Sequence, residues 1–373
     1  MAIFLSIVLL IYGAMHLYAL GKVWQVLPHS TALGLALLLL GLLLTLSPFI
    51  LWWLSRLNWH GLTALTSWIV YLWMGALFLF CSTALLFDLV RLLLSLLGQP
   101  WPASPLASLQ ATWLLAAALL LYGLYDARQI RIEQVHLGSS KLPAGSQVRI
   151  AQISDVHLGA MLGERFLANV IDRLRELQPD IIVATGDIVD GQGDDFERLA
   201  QQLRALQPPH GAYAVLGNHE YFAGLEHSLS FLRSAGFTVL RGQAVSTAGI
   251  VIAGVDDPAG QARGQEVQLN ARAAVAAMPP NAFVVLLKHQ PVDDIGTRFD
   301  LQLSGHIHGG QIFPFGLFTR MAYHIDCGLT ALGHEQWLYV SRGTGTWGPP
   351  LRLFAPPEIT LITLGHQDTA HGG

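Results

Sequence analysis

Five short stretches hold the residues that could do chemistry. They are Ser154-Asp155-Val156-His157, Gly186-Asp187-Ile188-Val189-Asp190, Gly217-Asn218-His219-Glu220, Lys288-His289-Gln290-Pro291 and Gly305-His306-Ile307-His308-Gly309. Their carboxylates and imidazoles suit Mn, Fe or Zn better than Ca. Hydrolysing a phosphate ester at neutral pH requires a hydroxide and relief of charge on the phosphoryl oxygens. Two cations about 3.5–4 Å apart can supply both, and one carboxylate must then bridge them. Singly, most of these stretches are also ordinary features. A DxH triplet can be a surface loop pair, and GDxxD a glycine before a capping aspartate. GNHE can be a tight turn, and His289 a satisfied core histidine. GHxH is stronger, because two histidines two apart on a glycine-flanked turn can reach one centre. The ordered set, each member just after a predicted strand, is far more specific than any part.

The elements that must position these stretches follow from apolar periodicity. Strands are expected at 148–153, 180–185 and 212–216, with helices at 164–177 and 194–206 between them. Later strands are expected at 237–240, 250–254, 283–288, 299–303, 336–341 and 359–364. Alternation giving way to strand-rich sequence fits a two-sheet core flanked by helices. Open α/β sheets place ligands at the carboxyl ends of their strands, and loops there can converge from distant positions.

A different solvent is implied for the first third of the chain. The protein has 373 residues and is 52% hydrophobic but 12% charged, against about 25% charged in ordinary soluble domains. Residues 1–125 hold four charged side chains, Lys22, Arg56, Asp88 and Arg91; the other 42 follow Tyr125. Apolar runs at 2–20, 31–54, 62–87 and 106–125 each reach the ~20 residues that cross ~30 Å of hydrocarbon. The first run lacks the basic segment and small-residue cleavage site of a signal peptide. Trp24, Trp52, Trp53, Trp59, Trp68, Trp73 and Trp101 crowd near the run ends, as an interfacial belt would. Residues 89–97 extend the third run and suit the interface. The expected organisation is a membrane domain at 1–125, a linker at 126–146 that becomes a strand, and a hydrolytic domain at 147–373.

With four spans, the N-terminus, the loop holding Arg56 and the segment after Tyr125 share one side. Arg56, Arg128, Arg131 and Lys141 lie there, against Lys22 and Arg91 opposite. The excess leans towards a multi-pass cell-membrane protein with a cytoplasmic catalytic domain. Residues 126–373 carry 18 basic and 24 acidic groups, so no basic groove for a nucleic acid is expected. Cys81 and Cys327 fall one in each part and indicate neither a disulfide framework nor a thiolate site.

The ordered set DxH, GDxxD, GNHE, H and GHxH resembles the calcineurin-like metallophosphoesterase superfamily over roughly residues 148–365. Ser304 to Pro314 and Gly343 to Ile359 look like its bacterial branch of membrane-linked phosphodiesterases. The resemblance implies a four-layer α-β-β-α sandwich, here preceded by a bundle of four transmembrane helices. It implies two divalent metal ions (Mn, Fe or Zn). Asp155, His157 and His308 would bind the first, and Asn218, His289 and His306 the second, with Asp187 bridging. His219 would stand beside the leaving group as acid or phosphoryl-oxygen donor. Asp190 reads as a supporting or helix-capping residue. Protein phosphatases of this superfamily continue GDxVD with Arg-Gly, whereas Asp190 is followed by Gly191-Gln192, and they lack GHxH. That weakens the protein-phosphatase reading. The acidic balance weakens a nuclease, and seven retained ligands weaken a non-enzymatic sensor or scaffold.

The expected function is a membrane-anchored two-metal phosphoesterase, of phosphodiesterase type, acting through a metal-activated hydroxide. Its partners would be a phosphate-ester substrate and the bilayer. The stretch 312–323 bears on the substrate. Ile312, Phe313, Phe315 and Phe318 are interrupted by Pro314 and Gly316, a pattern that disfavours a regular helix. The ordinary reading packs these side chains into the core. The alternative makes them an apolar rim facing the bilayer, with Arg320 meeting a lipid phosphate and the substrate lipid-linked.

Overall fold

A computed structural model describes residues 2–55, 57, 59–191, 196–292, 296–333 and 335–367. Arg56, Gln192 and the first two residues of the helix expected at 194–206 lie outside the described residues. The chain divides into two compact units, 1–125 with 348–351, and 126–347 with 352–373.

The first unit consists of α1 (Ala2–Trp24), α2 (Thr31–Ser55), α3 (His60–Leu96) and α4 (Pro105–Asp126). All four are long and apolar enough to cross a membrane. Only 6–28% of each apolar window is buried inside the protein. A water-soluble bundle would turn that surface inward, so these helices are built to meet hydrocarbon. The extension at 89–97 continues α3 without a break as far as Leu96. Trp73 departs from the expected aromatic belt. Its Nε1 donates to Nε2 of buried His16 at 3.0 Å, so its indole serves an internal polar contact.

The second unit is built on two six-stranded sheets among the described residues. In chain order the strands are β1 (Arg131–Ser139), β2 (Gln147–Ile153), β3 (Ile181–Thr185), β4 (Ala212–Val215), β5 (Phe237–Val239), β6 (Gln243–Thr247), β7 (Ile250–Gly254), β8 (Val284–Leu287), β9 (Leu301–Ser304), β10 (Gly328–Gly333), β11 (Gln336–Val340) and β12 (Glu358–His366). The first sheet has the order β1-β12-β2-β3-β4-β5 and the second β10-β11-β9-β8-β7-β6. The helices are α5 (Glu164–Leu177), α6 (Phe196–Arg204), α7 (Asn218–Ala223), α8 (Leu225–Ser234), α9 (Ala259–Ala262), α10 (Ala271–Val275) and α11 (Phe315–Tyr323).

Side-chain alternation makes this unit four layers deep. Successive strand residues face opposite ways. Ile181 and Val183 of β3 therefore join Ile250 and Ile252 of β7 and Val285 and Leu287 of β8 in the core between the sheets. Ile182 and Ala184 face the other way, onto Leu167, Val170, Ile171 and Leu174 of α5. Val251, Ala253, Val284 and Leu286 cover the outer face of the second sheet, against Ala271 and Val275 of α10. The apolar runs at these strands are continuous because both faces are buried. The α-β-β-α sandwich is the observed fold.

Four segments differ from the sequence-based expectation. The linker at 126–146 contains β1, which pairs in parallel with β12 over nine residues, from Arg131↔Glu358 to Ser139↔His366. Edge strands β6 and β10 hold no fully buried residue, although β10 alternates between half-buried and exposed positions, and their sequences lack the apolar alternation that marks a strand. The stretch 315–323 forms helix α11, because Pro314 sits before the first helical turn, where its missing N–H removes no hydrogen bond.

Helix α5 tests the layer assignment. Leu174 is fully buried between α5 and the first sheet. Leu174→Ala in the full chain in detergent should lower stability by about 2–5 kcal/mol, read as a lower urea midpoint. An unchanged midpoint would contradict the burial of this face.

Candidate metal centre

All five chemical stretches leave the carboxyl ends of adjacent strands. Asp155 and His157 follow β2, Asp187 and Asp190 follow β3, Asn218 and His219 follow β4, His289 follows β8, and His306 and His308 follow β9. Parallel pairing of β2-β3-β4 and of β8-β9 puts these ends on one edge of the sandwich.

The chain is held there in an uncommon backbone conformation. Asp155, His157, Asp187, His306 and His308 all have φ between +52° and +73°. Non-glycine residues persist in this region only when surrounding structure over-determines them, and such residues cluster at functional sites. Close approach also requires glycine. A Cβ on Gly217 would stand 2.2 Å from Asp187 Oδ1. A Cβ on Gly310, at φ +78°, would stand 2.2 Å from Gly316 Cα. Glycines at 310 and 316 thus let α11 abut the GHxHGG turn.

Three overlapping groups of donors result, and His157 and Asp187 each belong to two of them. Asp155, His157 and His308 lie together, and so do Asp187, His289 and His306; a third grouping joins His157, Asp187 and His219. In the first, His157 Nε2 is 3.1 Å from His308 Nε2, and His308 Nε2 is 3.3 Å from Asp155 Oδ1. In the second, His289 Nε2 is 3.2 Å from Asp187 Oδ2. The same nitrogen is 3.1 Å from both His306 Nδ1 and Asn218 Oδ1.

These residues fit divalent cations. Ligands at about 2.0–2.2 Å from a shared ion stand roughly 3.0–3.4 Å apart, which is the observed donor spacing. The outer ring atoms are positioned as well. His289 Nδ1 donates to the Thr185 carbonyl oxygen at 2.8 Å, which leaves Nε2 as the atom that would take a cation; without one, burial opposes but Asp187 outweighs it, and the His289 pKa is raised well above its ordinary value. His306 Nε2 meets the Tyr323 hydroxyl at 2.7 Å. Burial, with His219 nearby, lowers the His157 pKa to about 3. Burial and His289 lower that of His306 to about 4. Both rings are thus neutral, as ligands must be. Burial works to raise the Asp155 and Asp187 carboxyls, but facing histidines hold both well below the usual carboxylate range.

Asp190 pairs with His219, their Oδ1 and Nδ1 atoms being 2.7 Å apart, and its Oδ2 stands 3.6 Å from His157 Nδ1. It stands against two imidazoles. The His219 pKa is raised to about 9; burial opposes this, and Asp187 and Asp190 outweigh it. The exposed rings of Phe222 and Trp347 flank His219, with centroids 5.3 and 5.7 Å away.

Three further residues escaped the sequence reading. Glu220, fully buried, accepts backbone N–H bonds from Gly217 (2.7 Å), Ile188 (2.7 Å), Asp187 (2.9 Å) and Val189 (3.1 Å). It clamps the Asp187 loop to the Asn218 loop. Burial, then Asp187, raises its pKa to about 7. Tyr323 supports His306, as above. Arg352, also fully buried, donates to the His308 carbonyl oxygen at 2.9 Å. Glu220 had a signal in its place inside GNHE and Arg352 in its place inside the 343–359 segment; Tyr323 had none that pointed to His306.

Residues 148–310 match the family model described as calcineurin-like phosphoesterase. An uncharacterized metallophosphoesterase of Aquifex aeolicus is 41% identical over 254 residues, 67% of this chain and 97% of its own length. A Danio rerio transmembrane protein with metallophosphoesterase domain is 31% identical, over 67% of this chain and 61% of its own. Among solved structures, the Haemophilus influenzae NAD nucleotidase overlaps with a TM-score of 0.38 at 18% identity. That overlap covers 56% of this chain and 46% of the nucleotidase.

The Glu220 clamp has a direct test. Glu220→Ala leaves four buried N–H groups without their acceptor. At about 1–3 kcal/mol per unsatisfied group, the loss should exceed roughly 3 kcal/mol. Exposed Glu226→Ala should change stability by less than about 0.5 kcal/mol. Equal midpoints for the two variants in urea melts would show that Glu220 holds nothing.

Proposed function

The chain belongs to the calcineurin-like metallophosphoesterase family, and from that premise we propose that it is a membrane-anchored, two-metal phosphodiesterase. Hydrolysis of phosphoesters with divalent metals is the activity of this family, and the chain is a hydrolase of that kind. The observation that supports two ions is the chain of three overlapping donor groups, in which buried Asp187 stands with His157 and His219 on one side and His289 and His306 on the other. Asp155, His157 and His308 would hold one ion, Asn218, His289 and His306 the other, with Asp187 the carboxylate that would reach both. Bound there, the ions supply a nucleophile from water and neutralise phosphoryl charge.

The protein's own groups do the rest. Asp190 fixes the His219 ring from its Nδ1 side. With a cation held at Asp187, that carboxylate would pull less on His219, and Asp190 would be the group that keeps the ring protonated. His219 then gives a proton to the departing alkoxide, a role a positioned acid can play. Phe222 and Trp347 form walls beside the leaving group.

The substrate is an amphiphile on this reading. Phe313, Phe315 and Phe318 are 48–59% exposed and Met321 71%, while Ile312 is buried. The core reading of the stretch therefore holds for Ile312 alone. Tyr323, the last residue of α11, meets His306, which ties this exposed apolar face to the centre. An apolar patch beside a catalytic site suits an acyl or prenyl chain. Arg320 does not wait for a lipid phosphate, since Asp326 engages it at 3.0 Å. The basic residues flanking the spans favour a cytoplasmic catalytic unit.

Three measurements follow. Asp187→Asn should lose both metals by elemental analysis together with nearly all turnover; two retained metals and full activity would sink the assignment. His219→Ala should keep both metals and lose about 10²–10⁴-fold in kcat. That loss should shrink for p-nitrophenyl esters, whose leaving group needs little protonation; loss of metal would instead make His219 a ligand. Phe315→Ser with Phe318→Ser should raise KM for a phospholipid in vesicles and spare bis-p-nitrophenyl phosphate. Equal losses on both would remove the case for a lipid substrate.

A further inference from the structure

The four-helix unit contains a cavity of about 360 Å³ lined by Lys22, Asp88, Arg91, Phe87, Trp101 and Thr112, among others. We propose that this cavity binds a phosphate-bearing anion, most simply the head group of an anionic lipid. The proposal rests on α1–α4 crossing a bilayer and not on the hydrolytic centre.

Charge is the first reason. The charged lining residues are two cations and one carboxylate. Lys22 Nζ lies 2.5 and 2.6 Å from the two Asp88 oxygens, and the Tyr18 hydroxyl donates to the same carboxylate at 2.6 Å. Asp88 is thus occupied by neighbours from α1. Arg91 follows it by three residues on α3, one turn along the same face. Its guanidinium supplies the positive charge that Asp88 and Lys22 leave over. Ionisable groups among membrane helices are expensive and usually mark ligand or ion sites. Planar guanidinium donors match phosphate oxygens.

Location is the second reason. Helix α3 has 37 residues and is roughly 55 Å long, well beyond the ~30 Å of hydrocarbon. Asp88 and Arg91 lie in its last three turns, and Lys22 in the last turn of α1. These charges therefore belong at the head-group level. Leu85, Leu89, Leu92 and Leu96 are 52–75% exposed along the same stretch of α3 and offer a surface for an acyl chain. A volume in the range of small-ligand sites holds a phosphate with its first carbons. Phe87 and Trp101, their rings 6.3 Å apart, form an apolar flank.

The test uses the full chain in phosphatidylcholine nanodiscs containing phosphatidylglycerol, with retained lipid counted by native mass spectrometry. Retention of phosphatidylglycerol over phosphatidylcholine should fall about fivefold in Arg91→Gln, as expected for one lost cation at a lipid surface. Arg91→Lys should keep most of the preference. Arg128→Gln, an exposed cation at the far end of α4, should keep all of it. In a second arm, inorganic phosphate competes. Arg91-dependent displacement assigns the site to a soluble phosphate compound, and resistance to displacement assigns it to the lipid; both support the phosphate site. The proposal is overturned if Arg91→Gln retains phosphatidylglycerol like the unaltered chain, or if Arg128→Gln loses as much.

Discussion

Asp187 is a carboxylate that must stay charged where water cannot reach it. An unpaired buried carboxylate would take up a proton. Here His289 stands 3.2 Å from one oxygen, and the His219 backbone N–H donates to the other at 2.8 Å. It belongs to two of the three donor groups, with His157 and His219 on one side and His289 and His306 on the other. Everything around the site can be read as what is needed to keep Asp187 in that position. Gly217 gives the carboxylate room. Glu220 ties the loops before and after it together through backbone amides. The left-handed backbone at Asp155, His157, His306 and His308 turns their side chains toward the same small volume.

The two-sheet core makes that position affordable. Strands buried on both faces are rigid, and their parallel neighbours end at nearly the same level. Loops leaving them need reach only a few residues to converge. The strain of five positive φ values is then borne by a scaffold whose apolar layers are continuous from α5 through both sheets to α10. Ligand bonds to cations would offset the mutual repulsion of imidazole lone pairs that face one another at 3.1 Å.

Much of this was legible in the sequence because chemistry and periodicity coincided there. Strands buried on both faces write themselves as runs such as Ile181-Ile182-Val183. The site residues announce themselves as short motifs after those runs. What stayed hidden depended on tertiary partners. Strand β1 looked like a linker because its partner, β12, lies more than two hundred residues away. The exposure of Phe315 and Phe318 could not be told from burial, since composition is the same either way. Arg352 lies in the 343–359 segment that carries the resemblance, but nothing in that segment gave a sign that it would lie beneath His308. Helix α11 was obscured by Pro314, whose position just ahead of the helix makes it a start signal and not a break.

The claim on which the account turns is that Asp187 joins two metal ions in one centre. The most direct measurement is electron paramagnetic resonance of the full chain loaded with Mn(II), alongside metal content per chain. Two ions about 3.5–4 Å apart should give a spin-coupled dimanganese signal at two equivalents of metal. A signal of isolated Mn(II), or saturation at one equivalent, would contradict the shared carboxylate and with it the two-metal centre.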